Sequence, residues 1–342
     1  MIRKLALAAA GLMMAATAQA ADLKVGFVYV GPIGDFGWSY QHDQGRLAIE
    51  KEFGDRVETT YVESVPEGPD AERVIRQLAA SGHGLIFTTS FGYMDPTLKI
   101  AKMFANVKFE HATGYKRSDN VSTYSARFYE GRHVIGTIAG HMTKTKKIGY
   151  IASVPIPEVV RGINAATLAA RAIDPEITTQ VIWVNSWYDP GKEADAAKTL
   201  MAQGADVIMQ HTDSPAGLQA AENAGVYAFG QASDMIQFAP TKQLTAIIDD
   251  WSPYYIARTR AVLDDTWASE DSWKGIAAGE VVMAPYTNMP DDVKAAAEKA
   301  AADIASGAVH PFAGPIKDRD GTERIAAGAV ADDGMMLGMD WF

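Results

Sequence analysis

The sequence predicts an α/β protein of two doubly wound lobes, each built around a mainly parallel sheet. Along most of the chain, short apolar runs ending in small or polar residues alternate with amphipathic stretches of helical spacing. This alternation is typical of βαβ crossovers, which join parallel strands. The pattern runs once before residue 121 and again after residue 147, so we expect two α/β units joined near residues 121–129.

The first unit opens with the clearest strand signal in the chain. From Val25, an apolar run rich in β-branched and aromatic residues precedes a Gly-rich turn, and a helical pattern follows from Trp38 to Phe53. Residues 69–81 place apolar side chains at helical spacing, which predicts a second helix. The same criteria predict strands at 56–64, 84–89 and 107–112 and a helix at 95–104.

The second unit repeats the alternation, and the last third of the chain is less regular. Pro190 and Pro253 each suit the first turn of a helix. The predicted strands are 147–153, 178–185, 205–210, 226–230, 244–249 and 279–284. The predicted helices are 158–172, 190–202, 215–223, 252–267 and 290–305. Residues 312–321 have the composition of a hairpin or an extended ornament.

The chain is predicted to cross between the lobes more than once. If the unit at 244–267 returns to the first lobe, that lobe comprises residues 21–125 and about 245–275. The second lobe then comprises residues 126–244 and about 280–342. Such crossings would form a hinge of several strands, with a cleft between the edges of the two sheets.

Residues 1–20 have the pattern of a cleaved signal peptide. Arg3 and Lys4 precede an apolar run, and Ala18-Gln19-Ala20 forms a small-x-small cleavage site. The sequence therefore predicts cleavage after Ala20 and a periplasmic or secreted protein. The chain contains no cysteine, which excludes a lipid anchor on a mature N-terminal Cys, disulfides and thiolate metal sites.

Charge and hydropathy narrow the possible partners. The formal net charge is −11, and loss of the two cations of the signal peptide makes it −13. An acidic chain without a block of Lys or Arg is a poor partner for nucleic acid or an anionic membrane. After residue 20, no segment approaches eighteen uninterrupted apolar residues. We expect a soluble monomer with no nucleic-acid partner and no stable membrane insertion.

Motifs of the common enzyme classes are absent from the sequence. It has no GxxxxGK(S/T) phosphate loop, no HExxH and no GxSxG. Gly31, Gly34 and Gly37 follow a GxxGxxG spacing, which differs from the dinucleotide fingerprint, and the seven histidines do not pair at metal-ligand spacing. The sequence therefore predicts a non-enzymatic protein without a metal or other cofactor.

Aromatic side chains stand beside polar ones at the carboxyl ends of the predicted strands, where open α/β sheets bind ligands. A cleft of this composition suits a flat, neutral ligand that rings sandwich and that a carboxylate or amide reads at its edge. For each aromatic residue, the alternative role is packing in the protein interior. The candidates are Phe36, Trp38, Ser90, Phe91, Trp187, His211, Asp213, Gln231, Asp234 and Trp251.

The chain resembles the basic membrane protein family of ABC transporter binding components, which are type I periplasmic solute-binding proteins. Three stretches carry the resemblance, which covers nearly the whole mature chain: VGPIGDFGWSYQHDQGR (30–46), WYDPGKEADAAKTLMAQGADVI (187–208) and VYAFGQASDM (226–235). The resemblance implies two lobes that close on a purine nucleoside or related purine. It also implies permease and ATPase subunits as partners.

Departures from the family pattern favour a bare base over a nucleoside. By resemblance, Trp38 is the stacking ring and Ser39 takes the place of the family's Asn. Nucleoside binders of the family tend to have Gly-x-Asp-x-Asp in a later loop, and the first Asp is well placed to hold ribose hydroxyls. This chain has Ala232 at that position. The family's Lys after the next strand is also missing. We therefore expect an adenine-like base, with Asp213 among the groups that read its edge.

Three alternatives stay open. The first is a purine nucleoside. The second is a sugar or small carboxylate, which would need several Asp, Asn and Arg side chains, with Arg127, Arg132 and Arg161 as candidates. The third is a secreted nucleoside hydrolase, which would need clustered carboxylates near the opening loop, where only Asp35 is obvious.

Overall fold

The computed structural model describes residues 21–34 and 36–342, and within them the chain forms two six-stranded sheets and a small hairpin. Helices cover both sheets, so the predicted α/β class with two parallel-rich sheets is confirmed. The signal-peptide prediction for residues 1–20 lies outside the described residues. No helix in the described part of the chain is long and apolar enough to cross a membrane.

The first sheet is parallel throughout and forms the centre of the first lobe. Its strands are β1 (Leu23–Val28), β2 (Val57–Val62), β3 (Leu85–Thr88), β4 (Lys108–Ala112), β5 (Val121–Ala126) and β11 (Asp271–Lys274). Their spatial order is β11-β5-β4-β3-β1-β2. The helices of this lobe are α1 (Gly37–Phe53), α2 (Pro69–Ala80), α3 (Met94–Ala101) and α8 (Ser252–Leu263). All four residues of β3 are buried, as expected for a strand covered on both faces.

The second sheet has one antiparallel edge strand and forms the centre of the second lobe. Its strands are β6 (Lys147–Ala152), β7 (Thr178–Trp183), β8 (Val207–His211), β9 (Tyr227–Gly230), β10 (Gln243–Asp249) and β12 (Val281–Met283). Their order is β12-β10-β9-β8-β6-β7. The helices of this lobe are α4 (Phe128–Met142), α5 (Pro157–Ile173), α6 (Pro190–Ala202), α7 (Ala216–Ala224) and α9 (Asp291–Ala305).

The chain passes between the lobes after β5, after β10 and again after β11. In one respect the predicted division differs from this arrangement. We expected the return to the first lobe at about residue 245, but β10 pairs in parallel with β9 and belongs to the second sheet. The return begins with α8 at Ser252, which packs on α1.

Sequence periodicity missed β5, β11 and α4. Helix α4 contains Gly131, Gly136 and Gly140, and glycine weakens the signal of a helix. The glycines are needed because α4 lies directly on α5: a Cβ on Gly136 would stand 2.3 Å from the carbonyl oxygen of Ala166. The close packing of α4 on α5 therefore requires the glycines that weaken the helical pattern in the sequence.

A buried ion pair joins α8 to the first sheet. Glu110 on β4 is fully buried and accepts hydrogen bonds from Arg258 Nε at 2.6 Å, Tyr254 Oη at 2.7 Å and Trp267 Nε1 at 2.6 Å. Burial raises the pKa of Glu110, and the Arg258 guanidinium opposes that shift. Tyr254 and Arg258 lie on α8, so their bonds to this buried carboxylate hold α8 against the first sheet.

The C-terminal tail packs on the second lobe. It forms a hairpin of β13 (Ile316–Lys317) and β14 (Glu323–Ile325), followed by α10 (Asp333–Leu337). The hairpin begins and ends four residues beyond the predicted 312–321. Arg161 on α5 donates to the carbonyl of Met336 at 2.7 Å, which anchors the tail.

Candidate functional site

A cavity of about 330 Å³ lies between the lobes, at the carboxyl ends of strands from both sheets. This is where ligands bind in open α/β sheets. The first lobe contributes Val30, Trp38, Ser90, Phe91 and Thr113. The second lobe contributes Glu158, Trp187, His211, Asp213 and Gln231. Seven of the predicted site residues are therefore brought together here: Trp38, Ser90, Phe91, Trp187, His211, Asp213 and Gln231.

The Trp38 ring is fixed by its surroundings. Its Nε1 donates to the carbonyl of Thr89 at 2.6 Å. Its ring meets those of His42 and Trp251 edge to face, with centroid distances of 4.4 Å and 5.7 Å. Because the hydrogen bond and the ring contacts fix its orientation, this wall of the cavity is preorganised for a ligand.

Two further rings line the cavity, one from each lobe. Phe91 follows β3, and its ring lies 6.3 Å from that of Tyr115. Trp187 follows β7, and its carbonyl accepts a hydrogen bond from the Asp213 backbone N–H at 2.9 Å. The bond ties the loop after β7 to the loop after β8. Aromatic walls from both lobes suit a planar ligand that bridges them.

Asp213 is the most strongly perturbed acid of the cavity wall. Its side chain accepts no hydrogen bond from any residue that the structure describes, and it is 7 % exposed. Burial raises the pKa of Asp213 well above its ordinary value, and the Glu193, Asp249 and Glu158 carboxylates raise it further. A carboxyl group held toward its neutral form offers a donor and an acceptor side by side.

His211 contributes a neutral imidazole to the wall. Its Nε2 lies 3.4 Å from Glu158 Oε1, but burial lowers the His211 pKa, and the Arg132 charge lowers it further. No group of three or more His, Asp or Glu side chains within residues 21–34 and 36–342 is arranged to hold a metal ion.

Gln231 presents an amide, and its oxygen is already engaged. Arg132 on α4 donates from Nη2 to Gln231 Oε1 and from Nη1 to the carbonyl of Gln210 at 2.7 Å. Arg132 is 1 % exposed, so this polar contact is made out of water.

Behind this wall, several buried polar atoms have no partner in the described part of the chain. They include Arg132 Nε, Tyr150 Oη, His211 Nδ1 and both carboxyl oxygens of Asp249. Burial raises the pKa of Asp249 well above its ordinary value, and the Arg132 charge opposes that shift. This side of the site is therefore polar and has donor and acceptor atoms available for further hydrogen bonds.

Three predicted site residues lie beside the cavity and do not line it. Ser39 Oγ accepts a hydrogen bond from the Gly31 N–H at 3.0 Å and so shapes the opening loop. Asp234 accepts from Gln243 Nε2 at 2.7 Å. Trp251 is buried behind Trp38, with its ring stacked on His42 at 4.9 Å. Each of these three side chains is therefore hydrogen-bonded to, or packed against, neighbouring residues.

Phe36 also lies outside the cavity, because it crosses to the other lobe. It packs on the apolar cluster of the second lobe and meets Phe238 edge to face at 5.4 Å. Next to it, the Gly37 N–H donates to Ser233 Oγ at 2.7 Å. A Cβ on Gly37 would lie 2.1 Å from the carbonyl oxygen of Asp213, and its φ is +77°. The opening loop therefore holds the lobes together around the cavity.

Three lining residues were missed by the sequence reasoning. Glu158 is the second residue of α5, where an acid in the first turn is expected from the helix dipole alone. Val30 and Thr113 follow β1 and β4, so the rule of strand ends points to them. They carry neither an aromatic ring nor a charge, so the pattern of aromatic residues beside polar ones does not include them.

Comparisons with known proteins agree with this architecture. A family model described as ABC transporter substrate-binding protein, PnrA-like, matches residues 22–310. A purine-binding protein of Brucella abortus is 60% identical over 334 residues, which cover 97% of this chain and 95% of that protein. A protein of Haloferax volcanii, provisionally named an ABC transporter glucose-binding protein, is 41% identical over 269 residues, covering 78% of this chain and 68% of that protein.

Solved structures support the fold alone. A solute-binding protein of an ABC transporter system from Aeropyrum pernix superposes with a TM-score of 0.74 at 18% identity, over 87% of this chain and 95% of that chain. A second one, from Conexibacter woesei, gives 0.66 at 22% identity, over 84% of this chain and 98% of that chain.

Proposed function

The chain belongs to the Bmp family of PnrA-like ABC transporter substrate-binding proteins, and we propose that it captures an adenine-like purine base between its lobes. The family resemblance stated from the sequence is thereby confirmed. The observation that carries the proposal is the cavity with rings from both lobes and an acid and an amide in its wall. A purine base is flat and has donors and acceptors on its edge, so it matches that wall.

Stacking supplies the first part of the binding energy. Trp38 is held from behind, so little side-chain freedom is lost when a ligand meets it. Base–aromatic stacking contributes about 1–3 kcal/mol per base. Trp187 from the second lobe gives the ligand an aromatic contact on the other side of the cleft.

The loop after β9 supports a base rather than a nucleoside. The carbonyl of Ala232 accepts from the Asp249 N–H at 3.0 Å, Ser233 is bonded to Gly37, and Asp234 is bonded to Gln243. Gln231 is the residue of this loop that lines the cavity. The loop therefore offers no carboxylate to ribose hydroxyls.

Capture by closure of the lobes is the mechanism we propose. A ligand that contacts both lobes favours the closed arrangement by its extra affinity for that state. Phe36 and Gly37 make contacts that only closed lobes allow. The closed form then docks on a membrane permease that ATPase subunits drive, on the periplasmic side, after removal of residues 1–20. Small-angle scattering should show compaction on addition of ligand, and an unchanged radius of gyration would contradict closure.

A sugar ligand is the second candidate, because of the name of the Haloferax volcanii relative. The arginines that a sugar site would use are engaged elsewhere. Arg127 forms a two-pronged ion pair with Asp333 at 2.8 Å, and Arg161 donates to Met336. Neither Arg127 nor Arg132 lines the cavity, and Arg161 lines only an adjoining pocket that shares Phe91, Thr113 and Glu158 with it. These contacts favour the purine.

Calorimetry with a ligand panel tests the proposal. Adenine, hypoxanthine, guanine, adenosine, guanosine and glucose should be titrated into protein that has been unfolded, stripped of ligand and refolded. We expect a free base to bind most tightly, with one site per chain. Tighter binding of either nucleoside, or of glucose, would overturn the choice of a base. Incubation with inosine separates a hydrolase, since only an enzyme would release hypoxanthine.

A further inference from the structure

Gln231 reaches the cavity with its amide oxygen already bound. The donor is Nη2 of Arg132, a guanidinium that is 1 % exposed and has no carboxylate within ion-pair distance in the described part of the chain. Arg132 is itself held by the carbonyl of Gln210 at 2.7 Å and lies 5.6 Å from the ring of Tyr150. Its position is therefore set by contacts independent of any ligand.

A guanidinium carries only donors, so only one of the two orientations of the Gln231 amide can form a hydrogen bond with it. The oxygen of Gln231 must face Arg132, and the amide nitrogen keeps both of its N–H groups. No acceptor in the part of the chain that the structure describes takes either of them. Turning the amide over would set N–H against N–H and leave Arg132 Nη2 buried without its acceptor, which is unfavourable.

We propose that Arg132 is a positioning residue that fixes Gln231 as a hydrogen-bond donor, and that this donor reads a ring nitrogen of the bound base. The inference rests on the proposed function. A free glutamine can present either its oxygen or its nitrogen, and so distinguishes poorly between a ring nitrogen and a ring N–H. With the amide fixed, the same cavity wall offers a donor of set orientation and the carboxyl of Asp213.

Adenine analogues with single nitrogens removed test this inference. The 1-, 3- and 7-deaza-adenines each replace one ring acceptor by C–H. Against the wild-type protein, one of them should bind about tenfold more weakly than adenine, the loss of one hydrogen bond. In Gln231→Met, which keeps the side-chain length but cannot donate, the same analogue should bind within about threefold of adenine.

Variants of Arg132 separate positioning from simple packing. Arg132→Met frees the amide to turn, so the penalty for the sensitive analogue should fall even though Gln231 is intact. Arg132→Lys keeps a cationic donor for the amide oxygen and should restore the penalty. If Arg132→Met does not fold, the comparison of Gln231→Met with the wild type still decides the role of the donor.

The outcomes distinguish this inference from the proposed function. If no purine binds the wild type, the proposed function fails. If adenine binds and the deaza penalties are the same in the wild type and Gln231→Met, the reading role of Gln231 is wrong while the function stands. If the loss of affinity for the sensitive analogue shrinks in Gln231→Met but persists in Arg132→Met, Gln231 does donate to the base. The proposal that Arg132 positions it is then wrong.

Discussion

Replacing Gly37 by alanine should block closure without changing any group that lines the cavity. Gly37 opens α1, and its Cα lies against the second lobe. An added Cβ would stand 2.1 Å from the Asp213 carbonyl oxygen and 3.0 Å from the carbonyl carbon. The neighbour is main chain, fixed by the hydrogen bond from the Asp213 N–H to Trp187. Relief therefore requires the lobes to move apart.

The magnitude follows from two separate costs. The left-handed backbone at φ +77° costs an alanine about 1–2 kcal/mol whether the lobes are open or closed, so it lowers stability and leaves affinity unchanged. The contact with Asp213 is made only when the lobes are closed. Overpacking of this kind costs about 2–3 kcal/mol, which corresponds to roughly 30- to 150-fold weaker binding.

Calorimetry with adenine measures the loss, and scattering shows its cause. Gly34→Ala is the matched control, because it lies in the same loop, is exposed, and its Cβ would meet nothing within 4 Å. We expect Gly34→Ala to bind as the wild type does and Gly37→Ala to stay expanded when adenine is added. Wild-type affinity in Gly37→Ala would refute the reasoning that closure through this contact is required for tight binding.

Three further predictions test the site and its support. Trp38→Ala should weaken base binding at least tenfold and Trp38→Phe much less, since base–aromatic stacking contributes about 1–3 kcal/mol; unchanged affinity in the alanine variant would show that Trp38 only packs. Asp213→Asn should raise the melting temperature of the ligand-free protein at pH 8 by a few degrees. The sign follows from the raised pKa of Asp213, because the stability linked to its neutral form is present at low pH and lost as the pH rises. The gain in melting temperature from Asp213→Asn should therefore shrink toward pH 5. A gain that does not change with pH would contradict this account. Arg258→Met should lower the free energy of unfolding by about 3–5 kcal/mol in urea melts, because it leaves the carboxylate of Glu110 buried without its cation; a loss below 1 kcal/mol would contradict a structural role for this pair.

Local sequence signals located most of the cavity wall, because the rule of strand ends is a rule of topology. Once β3 and β8 are predicted, Phe91 and Asp213 must lie at the carboxyl edge of their sheets, which is the edge where open α/β sheets bind ligands. The periodicity that revealed these strands requires no knowledge of how the lobes meet.

Contacts between distant segments account for what the sequence could not reveal. Phe36 stands beside Trp38 in the sequence, yet it packs on Phe238 of the other lobe. Trp251 also follows a strand, but it lies behind Trp38 because Arg258 and Glu110 fix α8 against the first sheet. No local pattern encodes these pairings.

Identification of the natural ligand tests the central claim most directly. The mature protein should be isolated from the periplasm of its native cell, washed, and unfolded in acid, and the small molecules released should be measured by mass spectrometry. We predict a free purine base, at up to one molecule per chain, and less of it from Trp38→Ala. A nucleoside or a sugar in the same amount would contradict the account.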